Sequence, residues 1–95
     1  DIVSDGKRVK LNFTGNPGMT VGGTGDVLAG IIGGFMAQRT DIFEAATAGA
    51  FISGAAGDFV EREKGHHIMP TDLLDWIPQL VENPMSHLKV RNNAP

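Results

Sequence analysis

Six of the chain's 13 glycines fall in residues 15–30, GNPGMTVGGTGDVLAG. Glycine loses more conformational freedom on folding than any other residue, so such a run is costly unless the backbone there does something a side chain would block. The run closes on Asp26, and the chain then turns apolar. Val27, Leu28, Ile31, Ile32, Phe35 and Met36 recur in pairs four apart, one face of a helix. The helix is expected to begin near Thr24 to Asp26 and to end near Arg39 to Thr40. Gly30, Gly33 and Gly34 lie inside it and cost about 1 kcal/mol each in helix propensity. A helix that keeps all three is expected to pack closely against a neighbour.

The flanking segments set the frame. Asp5-Gly6 is a strong hairpin turn signal within residues 1–13. After it Val9, Leu11 and Phe13 alternate with polar residues, the period of a half-buried strand. Downstream, Asp41 and Glu44 have capping-box spacing, with Asp in place of Ser or Thr. A second helix over residues 42–63 follows, rich in Ala and Gly, so its axis can approach its neighbours; Gly65 is a good stop. A loop through His66 and His67 leads to Pro70-Thr71, where Thr71 can cap a third helix. Leu73, Leu74, Ile77, Leu80 and Val81 give that helix an apolar face, and Pro78 is expected to kink or shorten it. Residues 83–95 read as a loose tail. One hairpin cannot cover three apolar helices evenly, so the order of hairpin, glycine loop and three helices implies missing partners: a larger sheet, another chain, or the rest of its own domain.

Composition narrows the chemistry. With 95 residues the chain fits one small domain. A net charge of −3 argues against a nucleic-acid binder. No cysteine is present, which excludes disulfides and thiolate metal sites and suits a reducing compartment. The apolar runs fall short of membrane-spanning length. With no secretory signal in view, the expected location is cytoplasmic, and the sequon Asn12-Phe13-Thr14 reads as accidental.

The glycine run is best read as an anion site. A helix N-terminus presents free N–H groups and the positive end of the helix dipole, and Gly22, Gly23 and Gly25 let a phosphate reach them. Asp26 would repel a phosphate already bound. It makes sense facing a second ligand, a hydroxyl whose proton must leave as it attacks phosphorus. The run is not a P-loop, since no Gly-Lys is followed by Ser or Thr, nor a dinucleotide fingerprint, since Leu28 stands where a third glycine belongs. Taken bare, Gly23-Thr24-Gly25-Asp26 can also be only a turn with an Asp N-cap.

Thr14-Gly15-Asn16-Pro17-Gly18-Met19, with Gly22-Gly23-Thr24-Gly25-Asp26-Val27-Leu28-Ala29-Gly30, resembles the C-terminal part of the ribokinase-like superfamily. Within it the chain is most similar to the ADP-dependent NAD(P)H-hydrate dehydratases. GxGD is shared by many small-molecule kinases of the superfamily, whereas GNPGM is more selective. Gly54, Gly57-Asp58 and Pro70-Thr71-Asp72-Leu73-Leu74 also look like the family. The resemblance implies an α/β, ribokinase-like fold, of which residues 1–82 are the C-terminal portion, with the rest of the domain missing. It implies a hydro-lyase that repairs hydrated NADH or NADPH by transient phosphorylation from ADP, releasing AMP and phosphate. Asp26 would contact the hydrate and act as base; Gly23, Thr24 and Gly25 would line the nucleotide phosphate site, bordered by Asn16. Mg²⁺ is expected as cofactor, its ligands not identifiable, and a homo-oligomer is expected.

Two rivals remain: a vitamin or sugar kinase of the same superfamily, against which GNPGM speaks, and a non-catalytic nucleotide-binding module, against which Asp26 speaks. Other residues carry blander expectations. His66-His67 lack a third metal ligand at useful spacing and read as an exposed loop. Asp58 reads as a polar or packing position on its helix rather than a ligand contact. Trp76 reads as a partly buried anchor. Met19 suits packing or the site equally well.

Overall fold

The computed structural model of the chain describes residues 1–88. Strands β1 (Ile2–Ser4) and β2 (Val9–Leu11) form an antiparallel hairpin pairing Ile2 with Leu11, Val3 with Lys10 and Ser4 with Val9. The Asp5 carboxylate closes the turn, accepting the backbone N–H of Lys7 at 2.9 Å and of Arg8 at 2.7 Å, while Gly6 takes a φ of 91°. The backbone N–H of Arg8, then that of Lys7 and the Arg8 guanidinium, hold the Asp5 carboxyl down at about 2 from its usual 3.8.

Two long helices carry the rest: α1 (Thr24–Ala37) and α2 (Ile42–Lys64). Asp41 caps α2 as its spacing predicts, accepting from the Glu44 N–H at 3.1 Å, and Gly65 ends it with a φ of 65°. Arg8 reaches Asp41 at 3.2 Å and lies 4.5 Å over the Phe43 ring, which ties the hairpin to this end of α2. The core is built on α2: Ile52, Ala55, Ala56 and Val60 are buried with Ile68, Leu73 and Leu80. Val27, Ile31 and Phe35 of α1 pack against this cluster from one side. Among the described residues no helix is long and apolar enough to cross a membrane.

Several expectations change. The third helix is split: residues Pro70–Trp76 form a 3-10 segment, and only Ile77–Glu82 are α-helical, here α3. Pro78 is the cause, since it has no N–H for the Leu74 carbonyl and its ring crowds that carbonyl. Thr71 is not the cap; the Asp72 carboxylate accepts the Met69 N–H at 2.9 Å at the start of the segment. Next, Val9, Leu11 and Phe13 are exposed rather than half-buried, because a two-stranded sheet leaves that face uncovered. Finally, Gly30, Gly33 and Gly34 face open space, with no atom within 4 Å of where a Cβ would stand. The close approach of α1 and α2 is made from the other helix, where a Cβ on Gly49 would collide with Ile32. The expected tail begins with order: Pro84–Ser86 form a 3-10 turn, and Ser86 and His87 are buried. Residues 89–95 of that tail lie outside the described residues.

Candidate anion site at the start of α1

After β2 the chain runs along α2. Asn12 donates from Nδ2 to the Ala50 carbonyl at 3.1 Å, and Thr14 Oγ1 donates to the Phe51 carbonyl at 3.1 Å. The sequon residues thus serve as anchors. Thr14 lies so close to Gly54 that a Cβ there would overlap it, and Met19 lies equally close to Gly57. The small residues of α2 therefore admit the glycine loop rather than a neighbouring helix alone. Gly15 turns the backbone with a φ of 108°. Asn16 caps the short 3-10 turn Pro17–Met19, its Oδ1 accepting the Gly18 N–H at 3.0 Å. Gly18 is buried, and a Cβ on it would meet the His66 backbone.

The loop ends where α1 starts. Gly23 is the N-cap with a φ of 108°, a conformation that needs glycine, and it offers no side chain to cap the helix. The Thr24 hydroxyl turns back into the loop, donating to the Met19 carbonyl at 2.9 Å. No protein acceptor among the described residues meets the N–H groups of Thr24, Gly25 and Asp26, which are left open by helix geometry. Nothing lies within 4 Å of a Cβ on Gly22 or Gly25, so an anion can approach these groups.

Asn16, Thr24 and Gly25 come together on one cleft of about 260 Å³, with Leu28 of α1 and Ser53 and Gly54 of α2. Gly23 and Asp26 do not line it. Small-molecule sites commonly run to about 300–1,000 Å³, so the cleft suits one end of a ligand rather than a whole nucleotide. Asp26 is exposed in the first turn of α1, where the helix dipole favours negative charge, and has no hydrogen-bonding or ionic partner among the described residues. It is the third helical residue, not the N-cap, so the reading of GxGD as an Asp-capped turn does not hold.

Sequence reasoning undervalued Asp58. Its carboxylate accepts from Gly15 N at 3.2 Å, from Asn16 Nδ2 at 2.9 Å and from His87 Nε2 at 2.7 Å. The only cue was its adjacency to Gly57; the contacts join residues 29 to 43 positions apart. Trp76 stacks on Phe59 with centroids 4.4 Å apart, away from the cleft. His66 and His67 are exposed, and His66 Nε2 meets Glu61 Oε2 at 3.1 Å. No group of three or more His, Cys, Asp or Glu among the described residues could hold a metal ion.

The hairpin followed by helices is the C-terminal part of a ribokinase-like domain, as the family match over most of the chain shows. Within that class the chain belongs to the NAD(P)H-hydrate dehydratase family, whose model matches residues 1–79. It is 48% identical over 81 residues to a bifunctional NAD(P)H-hydrate repair enzyme of Pyrobaculum aerophilum, covering 85% of this chain and 16% of that protein. The bifunctional repair enzyme of Archaeoglobus fulgidus is 49% identical over 81 residues, covering 85% and 17%. An ADP-dependent (S)-NAD(P)H-hydrate dehydratase of Cenarchaeum symbiosum is 45% identical over 82 residues, covering 86% and 29%. The chain thus spans less than a third of the length of these relatives. No solved structure matches it.

Proposed function

We propose that the protein carrying this chain is an ADP-dependent NAD(P)H-hydrate dehydratase, a hydro-lyase that returns hydrated NADH or NADPH to the working cofactor. The observation that carries this reading is the free Asp26 carboxylate beside the open N–H groups of α1, in a chain of this family. A carboxylate without a structural partner, placed where an anion site opens, is available for chemistry. Asp26 takes the proton of the hydrate's hydroxyl as that oxygen attacks the β-phosphorus of ADP. The P–O bond to AMP breaks, and the open N–H groups of Thr24 and Gly25 stabilise the charge on the transferring phosphoryl oxygens. The C–O bond to phosphate then breaks, the adjacent ring carbon loses a proton to solvent, and the ring double bond returns. Asn16 borders the phosphate end. A divalent ion such as Mg²⁺ would be held by the diphosphate and would offset its charge.

The remaining walls come from the rest of the domain, in keeping with the cleft's small volume and the short span of the chain. The same reading places a small-molecule enzyme in the cytoplasm, working as a homo-oligomer with neither nucleic-acid nor membrane partner. The test is an ADP-driven repair assay on the complete protein, following the return of reduced-nicotinamide absorbance. Recovery with ADP and release of AMP and free phosphate is expected. A stable phosphorylated acceptor would instead identify a vitamin or sugar kinase, and no recovery with ADP or ATP would overturn the dehydratase reading.

A further inference from the structure

The Asp58 cluster is not used by the chemistry above, yet it touches the residues that border the cleft. Its side chain is 18% exposed, and the His87 side chain is 4% exposed. A carboxylate only accepts hydrogen bonds, so His87 must carry a hydrogen on Nε2 in either charge state. The His87 ring stands edge-on to Phe51, with centroids 5.7 Å apart and planes at 77°, which holds the ring in place. On the other side, Asn16 is engaged at both ends: Nδ2 to Asp58 and Oδ1 to the Gly18 N–H. Among the described residues, Asp58 is the one side chain from another element that bonds Gly15 or Asn16. His87 lies beyond residues 1–79, the stretch that matches the family model.

We propose that Asp58 and His87 are positioning residues: His87, supplied by the segment after α3, orients the Asp58 carboxylate, which sets Gly15 and Asn16 at the mouth of the phosphate cleft. The kinetic consequence rests on the function proposed above; the positional one does not. Without the His87 donor, Asp58 Oδ2 keeps only the longer bond to Gly15, and the carboxylate is free to rotate away from Asn16.

The test uses the complete protein. His87→Phe keeps a ring against Phe51 and removes the donor; His87→Gln restores an N–H₂ group. In His87→Phe, exchange of the Gly15 amide hydrogen is expected to quicken by about tenfold or more, with the Asn16 side-chain amide signals shifting, and His87→Gln to restore both in part. With the repair assay, kcat is expected to fall by about 10- to 100-fold in His87→Phe while KM for the hydrate changes little, again with rescue by His87→Gln. Should His87→Phe not fold, Asp58→Asn serves, since one of its two positions then presents an N–H₂ to donors and loses their bonds. Unchanged exchange and unchanged Asn16 signals in a folded variant overturn the proposal whatever the activity. Faster exchange with kcat unaltered also overturns it, leaving a purely structural contact. If the wild-type protein shows no ADP-driven repair, the function proposed above fails, and the exchange measurement decides the positioning of Gly15 and Asn16 by itself.

Discussion

Two aspartates contrast near the start of α1. Asp58 accepts from three donors, whereas Asp26 has none among the described residues. Its tie to the fold is the helix dipole at the start of α1. Asp26→Asn is therefore expected to lower kcat by about 10²- to 10⁴-fold with the melting temperature lowered only slightly, as parallel kinetic and thermal measurements would show. Gly25 makes the opposite separation. A Cβ there meets nothing within 4 Å, and the residue is helical. Gly25→Ala should gain up to about 1 kcal/mol of helix stability. On the proposed function the same methyl would stand where phosphate approaches, so kcat for an ADP-driven reaction is expected to fall about 100-fold. A more stable but nearly inactive variant would separate the two roles of this glycine. Asp26, Gly25 and Asn16 could be singled out as candidates from the sequence because the loop that carries them is local. Asp58 could not, because its partners come from distant segments.

At the scale of elements, α2 is both the core and the bed on which the glycine loop lies. Gly54→Ala tests the bed. Helix propensity favours the change by about 1 kcal/mol, but the new Cβ would press on the Thr14 backbone, which cannot move aside as a side chain could. Overpacking of this kind costs about 1–3 kcal/mol, so a net loss of stability and of activity is expected. Calorimetry on the variant gives the sign. The ends of elements also make stability depend on pH. Asp5 closes the hairpin turn, its carboxyl held at about 2. Asp41 caps α2 and is lowered by the Glu44 N–H and then by Arg8; Asp72 is lowered by the Met69 N–H and then by Lys64. A carboxyl lowered on folding adds stability above its unfolded value and loses it as pH falls toward its folded value. The melting temperature should therefore drop between about pH 4 and pH 2, and less steeply in Asp5→Asn. The α2 boundaries were readable because a cap and a glycine stop act within one turn. The broken third helix was misread because Leu73, Leu74, Ile77, Leu80 and Val81 keep helical spacing across Pro78 although the backbone does not.

The molecule as a whole presents apolar surface that its own residues do not cover. Ile2 is 75% exposed, Phe13 72% and Val9 65%. The exposed glycines of α1 lie bare in the same chain. We infer that the remainder of the domain packs on these surfaces in the complete protein. Gly33→Ala discriminates. If the face stays open, the substitution should stabilise by up to about 1 kcal/mol. If another element lies against it, the added methyl overpacks and the melting temperature falls; a fall is the expected result. Thermal melts of the complete protein with and without the substitution decide between them.

The amino-acid sequence by itself determined the hairpin turn, the glycine loop, the start of α1 and both ends of α2, because each depends on bonds between residues only a few positions apart. It also determined where the candidate chemistry lies, since the open helix N-terminus and Asp26 follow from local backbone geometry. Only the tertiary structure decided that Gly54 and Gly57 receive Thr14 and Met19, that Gly30, Gly33 and Gly34 meet nothing among the described residues, and that Asp58 gathers Gly15, Asn16 and His87. Those outcomes depend on which surfaces come within a few ångströms once the chain has closed on itself, and spacing along the chain does not encode that distance.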